Sequence, residues 1–175
     1  MNSFRTGLHF TILLVLGASL SILPTGQAQP LVQDPAYDAM LQGLLDLSVP
    51  VIGVSQIEHV EDYVFLDARE IKEYQTSHIK NARHVGYDQF KVKSIKDLPK
   101  ETPIVVYCSV GYRSEKIGEQ LLKAGYTNVR NLYGSIFEWV NQGKPVYSDQ
   151  GITQNVHAYN RVWGIWLKKG QKVYK

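Results

Sequence analysis

The stretch PIVVYCSVGYRS, residues 103–114, places a strand, a loop and the start of a helix around the only cysteine of the chain. Residues 103–107 are mostly β-branched or aromatic, a composition typical of a short buried strand. Ser114 is predicted to cap a helix whose apolar residues follow helical spacing and which ends at Gly125. Cys108 is therefore expected on a short loop between a strand and a helix.

The position of Cys108 on this loop indicates that its thiol is reactive. Backbone N–H groups turned into the loop, together with the positive end of the helix dipole, stabilise an anion. The thiolate of Cys108 is thereby favoured, and the thiolate is the nucleophilic form of cysteine. Arg113 adds a permanent cation that can hold an oxyanion substrate or stabilise the charge on sulfur. The alternative is an inert buried cysteine, but the polar, glycine-containing loop favours the functional interpretation.

The composition is that of one ordinary globular domain. The chain has 175 residues, of which 44% are hydrophobic and 20% charged, enough to bury a core without disulfides. Its formal net charge is +3, and no Lys/Arg-rich run appears. Nucleic acid is therefore not expected as a partner.

Residues 1–28 have the pattern of a signal peptide. Arg5 supplies a positive segment, residues 10–23 are largely apolar, and residues 26–28 place small side chains at the cleavage positions. Cleavage after Ala28 predicts an exported protein, periplasmic or secreted, without a stable membrane span. A retained N-terminal anchor is the alternative. An exported cysteine without an intramolecular partner calls for a functional reason.

The rest of the chain alternates between short strands and helices. This alternation indicates an α/β fold with three layers, in which helices flank a central parallel sheet. Strands are predicted near residues 51–54, 63–66, 82–85, 103–107 and 129–132, and helices at 36–47, 67–74, 114–125 and 135–141. Chemistry gathers at the carboxyl ends of parallel strands, and both Asp67 and Cys108 lie at such predicted ends.

Two extensions flank the predicted domain of residues 51–147. Residues 29–50 form an N-terminal extension with a helix, and residues 148–175 form an aromatic and basic C-terminal extension. Trp163 and Trp166 lie beside lysines in the latter. These side chains are expected to pack on the domain or, alternatively, to dock on a membrane surface or a partner.

Three segments together resemble the rhodanese family of sulfurtransferases. They are residues 66–70 (LDARE), then Glu73-Tyr74 with His78-Ile79 and Ala82, and finally residues 108–114 (CSVGYRS). The order and spacing agree over residues 51–145. Ser77 and Asn81 depart from the family, which usually has glycines at these two positions, so the turn geometry there is expected to differ.

The resemblance implies a persulfide mechanism without a metal or cofactor. The Cys108 thiolate attacks the outer sulfur of thiosulfate, a persulfide or a polysulfide, and the enzyme persulfide then passes sulfur to cyanide or a thiol. The backbone N–H groups of the loop would surround the persulfide as in an oxyanion hole. The loop consists of Ser109, Val110, Gly111, Tyr112, Arg113 and Ser114.

Charged neighbours of the loop receive supporting roles in this interpretation. Arg113 is expected to bind an anionic donor, or alternatively to form a salt bridge with Asp67 or Glu70. Asp67 is expected to accept N–H bonds from the loop, and Arg69 to pair with an acid on the next helix. His78 is expected to be structural rather than a general base.

Two other functions fit the same fold. Cysteine phosphatases and arsenate reductases of this fold place five residues between cysteine and arginine, whereas only four separate Cys108 from Arg113. The shorter loop suits a smaller sulfur group and disfavours phosphatase activity. A non-enzymatic persulfide carrier or sulfur-sensing module, acting with a partner protein that accepts the sulfur, would use the same residues and stays open.

Overall fold

The computed structural model describes residues 30–175 of the chain. The predicted signal peptide, residues 1–28, lies outside these residues, and export stays a prediction. Within residues 30–175 no helix combines the length and the apolar character needed to cross a bilayer.

Five parallel strands form the central sheet, which confirms the predicted fold class. The strands are β1 (Val51–Ile52), β2 (Val64–Asp67), β3 (Arg83–His84), β4 (Ile104–Tyr107) and β5 (Val129–Leu132). Their order across the sheet is β1-β5-β4-β2-β3. The strand that leads to Cys108, β4, is thus the central one, and all four of its residues are buried. A thiol at its carboxyl end therefore starts from a rigid position.

Helices cover both faces of the sheet. They are α1 (Pro35–Leu44), α2 (Ile71–Thr76), α3 (Tyr112–Lys123) and α4 (Ser135–Asn141). Alternate side chains of β4 point to opposite faces: Val105 and Tyr107 pack with residues of α1 and α4. Ile104 and Val106 instead pack with Ile117 and other residues of α3. The sheet is the middle of three layers.

Helix α3 begins at Tyr112, two residues before the cap predicted at Ser114. Gly111 takes the capping position with φ +129°, a conformation that glycine adopts without steric cost. The loop is therefore shorter, and the helix begins earlier, than the position of the Ser114 hydroxyl indicated. The predicted end is confirmed: Gly125 has φ +88° and its N–H donates to Leu122 at 3.0 Å, while Tyr126 N–H reaches Leu121 at 3.1 Å.

Helix α1 ends at Leu44, three residues before the predicted end at residue 47. The following backbone is captured by Glu115 of α3, whose carboxylate accepts N–H bonds from Asp46 at 3.1 Å and Ser48 at 3.0 Å. Glu115 is fully buried. This carboxylate holds the N-terminal extension in an extended path beside the active loop.

The C-terminal extension packs on the domain, one of the two roles expected for it. Its first strand, β7 (Gly151–Thr153), pairs antiparallel with β6 (Val146–Ser148), which begins at the end of the domain. The extension also contains the parallel pair β8 (Asn155–His157) and β9 (Gln171–Val173), and a 3₁₀ turn (Trp163–Trp166). Leu167 is fully buried in the same core as α1 and α4. Trp166 stacks on Tyr37 of α1 with ring centroids 5.2 Å apart.

Asn141, at the end of α4, anchors this extension. Its Nδ2 donates to the carbonyl of Trp166 at 2.9 Å. Its Oδ1 accepts the N–H groups of Lys168 at 2.7 Å and Lys169 at 3.2 Å. One buried amide thus satisfies three backbone groups at and after the end of the 3₁₀ turn.

We expect Asn141→Leu to lower the free energy of unfolding by about 2 kcal/mol, because it removes these hydrogen bonds at a partly buried site. Urea titration measures this loss, and limited trypsin digestion should show faster cleavage at Lys168 or Lys169. The exposed Asn155 is the control: Asn155→Leu should leave both measurements unchanged. Equal stability of the two variants would contradict the anchoring role.

Candidate active site

Cys108 lies directly after β4, at the floor of a cavity of about 290 Å³. Its side chain is only 1% exposed, so reagents reach the sulfur through this cavity. The start of α4 holds its backbone: Cys108 N–H donates to the Ser135 hydroxyl at 3.1 Å, and Ile136 N–H donates to the Cys108 carbonyl at 3.2 Å. Both residues of α4 were missed by sequence reasoning.

Gly111 turns its N–H toward the sulfur. The N–H donates to Cys108 Sγ at 3.2 Å, while the carbonyl faces away and accepts bonds from Asn131 Nδ2 and Glu115 N–H, each at 3.0 Å. A Cβ at Gly111 would lie 3.3 Å from Leu45, besides the strain of its positive φ. Glycine is therefore required where the loop bends.

Arg113 forms a bidentate ion pair with Glu73 of α2. Its Nη1 and Nη2 lie 2.8 Å and 2.9 Å from the two carboxylate oxygens. Ser109 joins the pair, since its hydroxyl donates to Glu73 at 3.0 Å and accepts from Arg113 at 3.1 Å. The predicted alternative partners, Asp67 and Glu70, were wrong. Glu73 belonged to the segments that resemble the family, but no local pattern in the sequence indicated that its side chain would reach the loop.

Asp67 and Arg69 pair with each other, which corrects both predicted roles. Asp67 accepts from the Arg69 N–H at 2.9 Å and from Nη2 at 2.6 Å, instead of accepting loop N–H groups. Arg69 Nη2 also donates to the carbonyl of Ser77 at 2.6 Å and makes no ion pair with the next helix. Both side chains are fully buried, and a buried charge requires a close partner. The pair fixes the turn after β2 and lies outside the cavity lining.

His78 makes contacts of a structural kind. Its Nδ1 lies 3.1 Å from the Tyr74 carbonyl oxygen, and its ring stacks on Tyr74 at 4.1 Å. The backbone N–H of His78 donates to the Tyr147 carbonyl at 2.8 Å. Among residues 30–175, no group of three or more His, Cys, Asp or Glu side chains is placed to hold a metal ion.

The surroundings of Cys108 favour its thiolate. Burial by itself would raise the pKa of the thiol, but the positive charge of Arg113 and the hydrogen bonds from the Ser114 and Gly111 amides outweigh it and hold the pKa below its ordinary value. Burial likewise raises the pKa of Glu73, and its bonds to Arg113 more than compensate, so Glu73 stays ionised. The sulfur is a nucleophile held in a preformed loop.

Both extensions contribute to the cavity wall, which sequence reasoning missed. The cavity is lined by Leu44, Cys108, Ser109, Val110, Tyr112, Arg113, Tyr159 and Trp163. Leu44 comes from α1, whereas Tyr159 and Trp163 come from the C-terminal extension. The Tyr159 ring lies over the Arg113 guanidinium, 5.0 Å from ring centroid to Cζ. These residues are too far from Cys108 in sequence for any motif to join them.

His157, at the end of β8, holds the backbone of Tyr159. Its Nδ1 accepts the Tyr159 N–H at 3.1 Å, and its Nε2 is buried without a hydrogen-bond partner among the described residues. Burial lowers the pKa of His157, and the partly compensating charge of Glu73 does not reverse this. The neutral ring is the form that fits.

Two substitutions in the ion pair should move the pKa of Cys108 in opposite directions. Arg113→Gln removes the cation beside the sulfur, so the thiol pKa rises and alkylation by iodoacetamide near neutral pH slows about tenfold. Glu73→Gln leaves Arg113 uncompensated, so the thiol pKa falls further. The pH profile of alkylation, followed by intact mass, measures both.

A general loss of folding cannot produce opposite shifts. Arg161→Gln, at an exposed arginine of the C-terminal extension, is the matched control and should keep the parent profile. If both ion-pair variants shift the profile in the same direction, the assigned role of Arg113 is wrong.

Stability should fall as the pH drops below the ordinary pKa of histidine. The unfolded chain binds a proton on His157 near pH 6.5, whereas the folded chain resists it until a lower pH. More protons are bound by the unfolded state in this window, so acid lowers the free energy of unfolding. Urea titrations between about pH 7.5 and 5.5 should show a weaker pH dependence for His157→Leu. His59→Leu, at an exposed histidine, is the control, and an equal weakening there would exclude His157 as the cause.

Comparison with known proteins agrees with the geometry. The rhodanese-like domain family matches residues 54–142, which is 89 of the 175 residues and includes Cys108, Arg113 and Glu73. A tRNA uridine(34) hydroxylase of Hamiltonella defensa is 38% identical over 89 residues. That alignment covers 47% of this chain and 25% of the relative, so the chain spans about a quarter of the length of this relative.

Solved structures share the same core. A rhodanese-related protein from Thermoplasma volcanium superposes with a TM-score of 0.51 and 28% identity, covering 55% of this chain and 96% of that one. A thiosulfate sulfurtransferase from Pseudomonas aeruginosa superposes with a TM-score of 0.53 and 24% identity, covering 66% of this chain and 23% of that one. This second match shows a likeness of fold alone. The resemblance seen in the three sequence segments is confirmed: this chain belongs to the family of proteins with a rhodanese-like domain.

Proposed function

We propose that this protein is a sulfurtransferase that carries sulfane sulfur as a persulfide on Cys108. The observation that carries the proposal is the placement of the Cys108 thiol. It lies at the floor of a cavity, receives the Gly111 N–H at 3.2 Å, and has a lowered pKa. A buried thiolate beside a space for a small molecule suits nucleophilic transfer of sulfur.

In the first half-reaction the thiolate attacks the outer sulfur of the donor. With thiosulfate, a bond forms between Cys108 Sγ and that sulfur, the S–S bond of the donor breaks, and sulfite leaves with the bonding pair. A persulfide or polysulfide donor would leave as a thiolate or a shorter polysulfide. The negative charge then resides on the outer sulfur of the enzyme persulfide, near the amides of the loop.

In the second half-reaction an acceptor takes the outer sulfur. Cyanide or a thiolate attacks it, the Cys108 S–S bond breaks, and the Cys108 thiolate leaves with the pair. The groups that lower the thiol pKa also make Cys108 a good leaving group, because they stabilise the thiolate. Each turnover thus returns the enzyme to its starting state without another reactant.

Export to a periplasm or to the exterior is part of this proposal and rests on the pattern of residues 1–28. The hydroxylase activity named for the Hamiltonella defensa protein is not extended to this chain, since the matched region is 25% of that protein. Transfer of sulfur needs only the residues of the matched region and its flanks.

A persulfide carrier that delivers sulfur to a partner protein is the second candidate. Val162 and Ile165, next to the cavity residue Trp163, are 72% and 53% exposed. Exposed apolar side chains beside an active site suit contact with another protein. The carrier would use the same first half-reaction and would differ only in its acceptor.

Intact mass spectrometry tests the shared step. The reduced protein is treated with thiosulfate or a polysulfide, and we expect the mass of one added sulfur atom, which cyanide removes as thiocyanate. Cys108→Ser is the control and should gain nothing. If no donor loads Cys108, the transferase proposal fails. Repeated thiocyanate formation by one enzyme molecule supports an enzyme, whereas a single discharge supports the carrier.

A further inference from the structure

The lining of the Cys108 cavity is mostly apolar, and its polar members are Arg113, Ser109 and the Cys108 thiol. Leu44 and Val110 contribute aliphatic walls, and three aromatic side chains contribute the rest of the apolar surface. The aromatic residues are Tyr112, Tyr159 and Trp163. A cavity of about 290 Å³ is close to the small end of the usual range for ligand sites, about 300 to 1,000 Å³. The space suits a small molecule with an apolar body.

The single charged residue of the lining is already neutralised. Arg113 binds both carboxylate oxygens of Glu73, at 2.8 Å and 2.9 Å, and only 14% of its side chain is exposed. The ring of Tyr159, in the C-terminal extension, lies over the guanidinium, with 5.0 Å between the ring centroid and Arg113 Cζ. Arg113 therefore supports the thiolate while offering little free charge to the body of an acceptor.

The cation beside the lining residue Tyr112 is also paired. Lys116 Nζ lies 5.9 Å from the Tyr112 ring centroid, but it binds Asp46 at 2.7 Å and Glu119 at 2.8 Å. An anionic group on the body of an acceptor, away from the loop amides that face the sulfur, would thus lose water without gaining an unpaired cation, which is unfavourable. An apolar group gains by leaving water at the same surface.

The aromatic walls are held in place by hydrogen bonds of the extension. Asn160 Oδ1 accepts the N–H of Trp163 at 3.0 Å, His157 holds Tyr159 at 3.1 Å, and Asn141 fixes the chain after the turn. The entrance is a built part of the fold. Because these side chains are already fixed, little conformational entropy is lost when a ligand binds. A ligand that fits the wall is therefore favoured over one that does not.

From this geometry we infer that the sulfur acceptor is a small apolar thiol, whose aliphatic or aromatic body packs against Leu44, Tyr159 and Trp163. The inference rests on the proposed persulfide function. The thiolate R–S⁻ attacks the outer sulfur of the Cys108 persulfide, which carries the negative charge, and the product leaves as R–S–S⁻. The Cys108 S–S bond breaks, and its electron pair stays on the Cys108 thiolate.

Two thiols of matched structure test the inference. The protein is loaded with polysulfide, and its discharge is followed with 2-phenylethanethiol and with 2-mercaptoethanesulfonate, which carry a phenyl or a sulfonate group on the same two-carbon thiol. We expect kcat/KM to be about tenfold higher for the phenyl compound. A ratio at or below one would overturn the inference.

Substitutions on two separate elements locate the effect. Trp163→Ala and Leu44→Ala should each lower the phenyl-to-sulfonate ratio about fivefold, because each removes apolar contact from one acceptor only. Trp163→Lys should shift the ratio toward the sulfonate. Ile152→Ala, at an exposed apolar residue of β7, is the control and should keep the parent ratio.

The outcomes separate this inference from the proposed function. If Cys108 never loads sulfur, the persulfide function itself fails. If it loads and discharges to cyanide, but the lining variants slow both thiols equally, the function stands and the apolar acceptor is wrong. Loss of folding in one variant would leave the other two lining variants to decide.

Discussion

The ion pair between Arg113 and Glu73 is the interaction on which the site depends. It joins the active loop to α2 across 40 positions of sequence, with the Ser109 hydroxyl bound to both partners. Breaking a buried pair of this kind costs about 3 to 5 kcal/mol, because one charge is left without a partner. The pair therefore does two things at once. It holds a cation beside the sulfur, and the Glu73 carboxylate offsets part of the charge of that cation.

The reactive loop and its entrance come from different parts of the chain. The family match, residues 54–142, contains Cys108, its loop, Glu73 and the start of α4. Leu44, Tyr159 and Trp163 lie outside it and close the cavity from both extensions. The chemistry is thus placed in the part shared with the family, and the shape of the entrance in segments that flank it. Such a division allows specificity to change without disturbing the thiolate.

Buried polar side chains position these extensions. Glu115 captures the backbone after α1, and Asn141 captures the backbone after the 3₁₀ turn. Glu138 accepts the Gln33 N–H at 2.9 Å, which ties the lead-in of the chain to α4. Each group binds backbone N–H groups or carbonyls of an extension and so fixes the path of the chain there. Fixed walls around Cys108 are the result.

Local sequence patterns were sufficient to predict the strands and helices and to identify Cys108 as the nucleophile. The β-branched run before Cys108, the glycine after α3 and the alternation of strands and helices act over a few residues, so the sequence alone determined the α/β class, the parallel sheet and the loop that holds the thiol. The start of α3 was placed two residues late because a serine hydroxyl and a glycine at positive φ compete for the cap.

Only the tertiary structure decided which charges meet and what covers the sulfur. For Arg113, expected to bind an anionic donor, the alternative salt bridge named Asp67 or Glu70, but its partner is Glu73, and Asp67 binds Arg69 instead of the loop. Several acids of similar sequence distance were available to each arginine, and the choice among them depends on how α2 packs beside β4. Tyr159 and Trp163 reach the cavity for the same kind of reason: a hydrogen-bonded tail brings distant residues together, and no short-range periodicity encodes that contact.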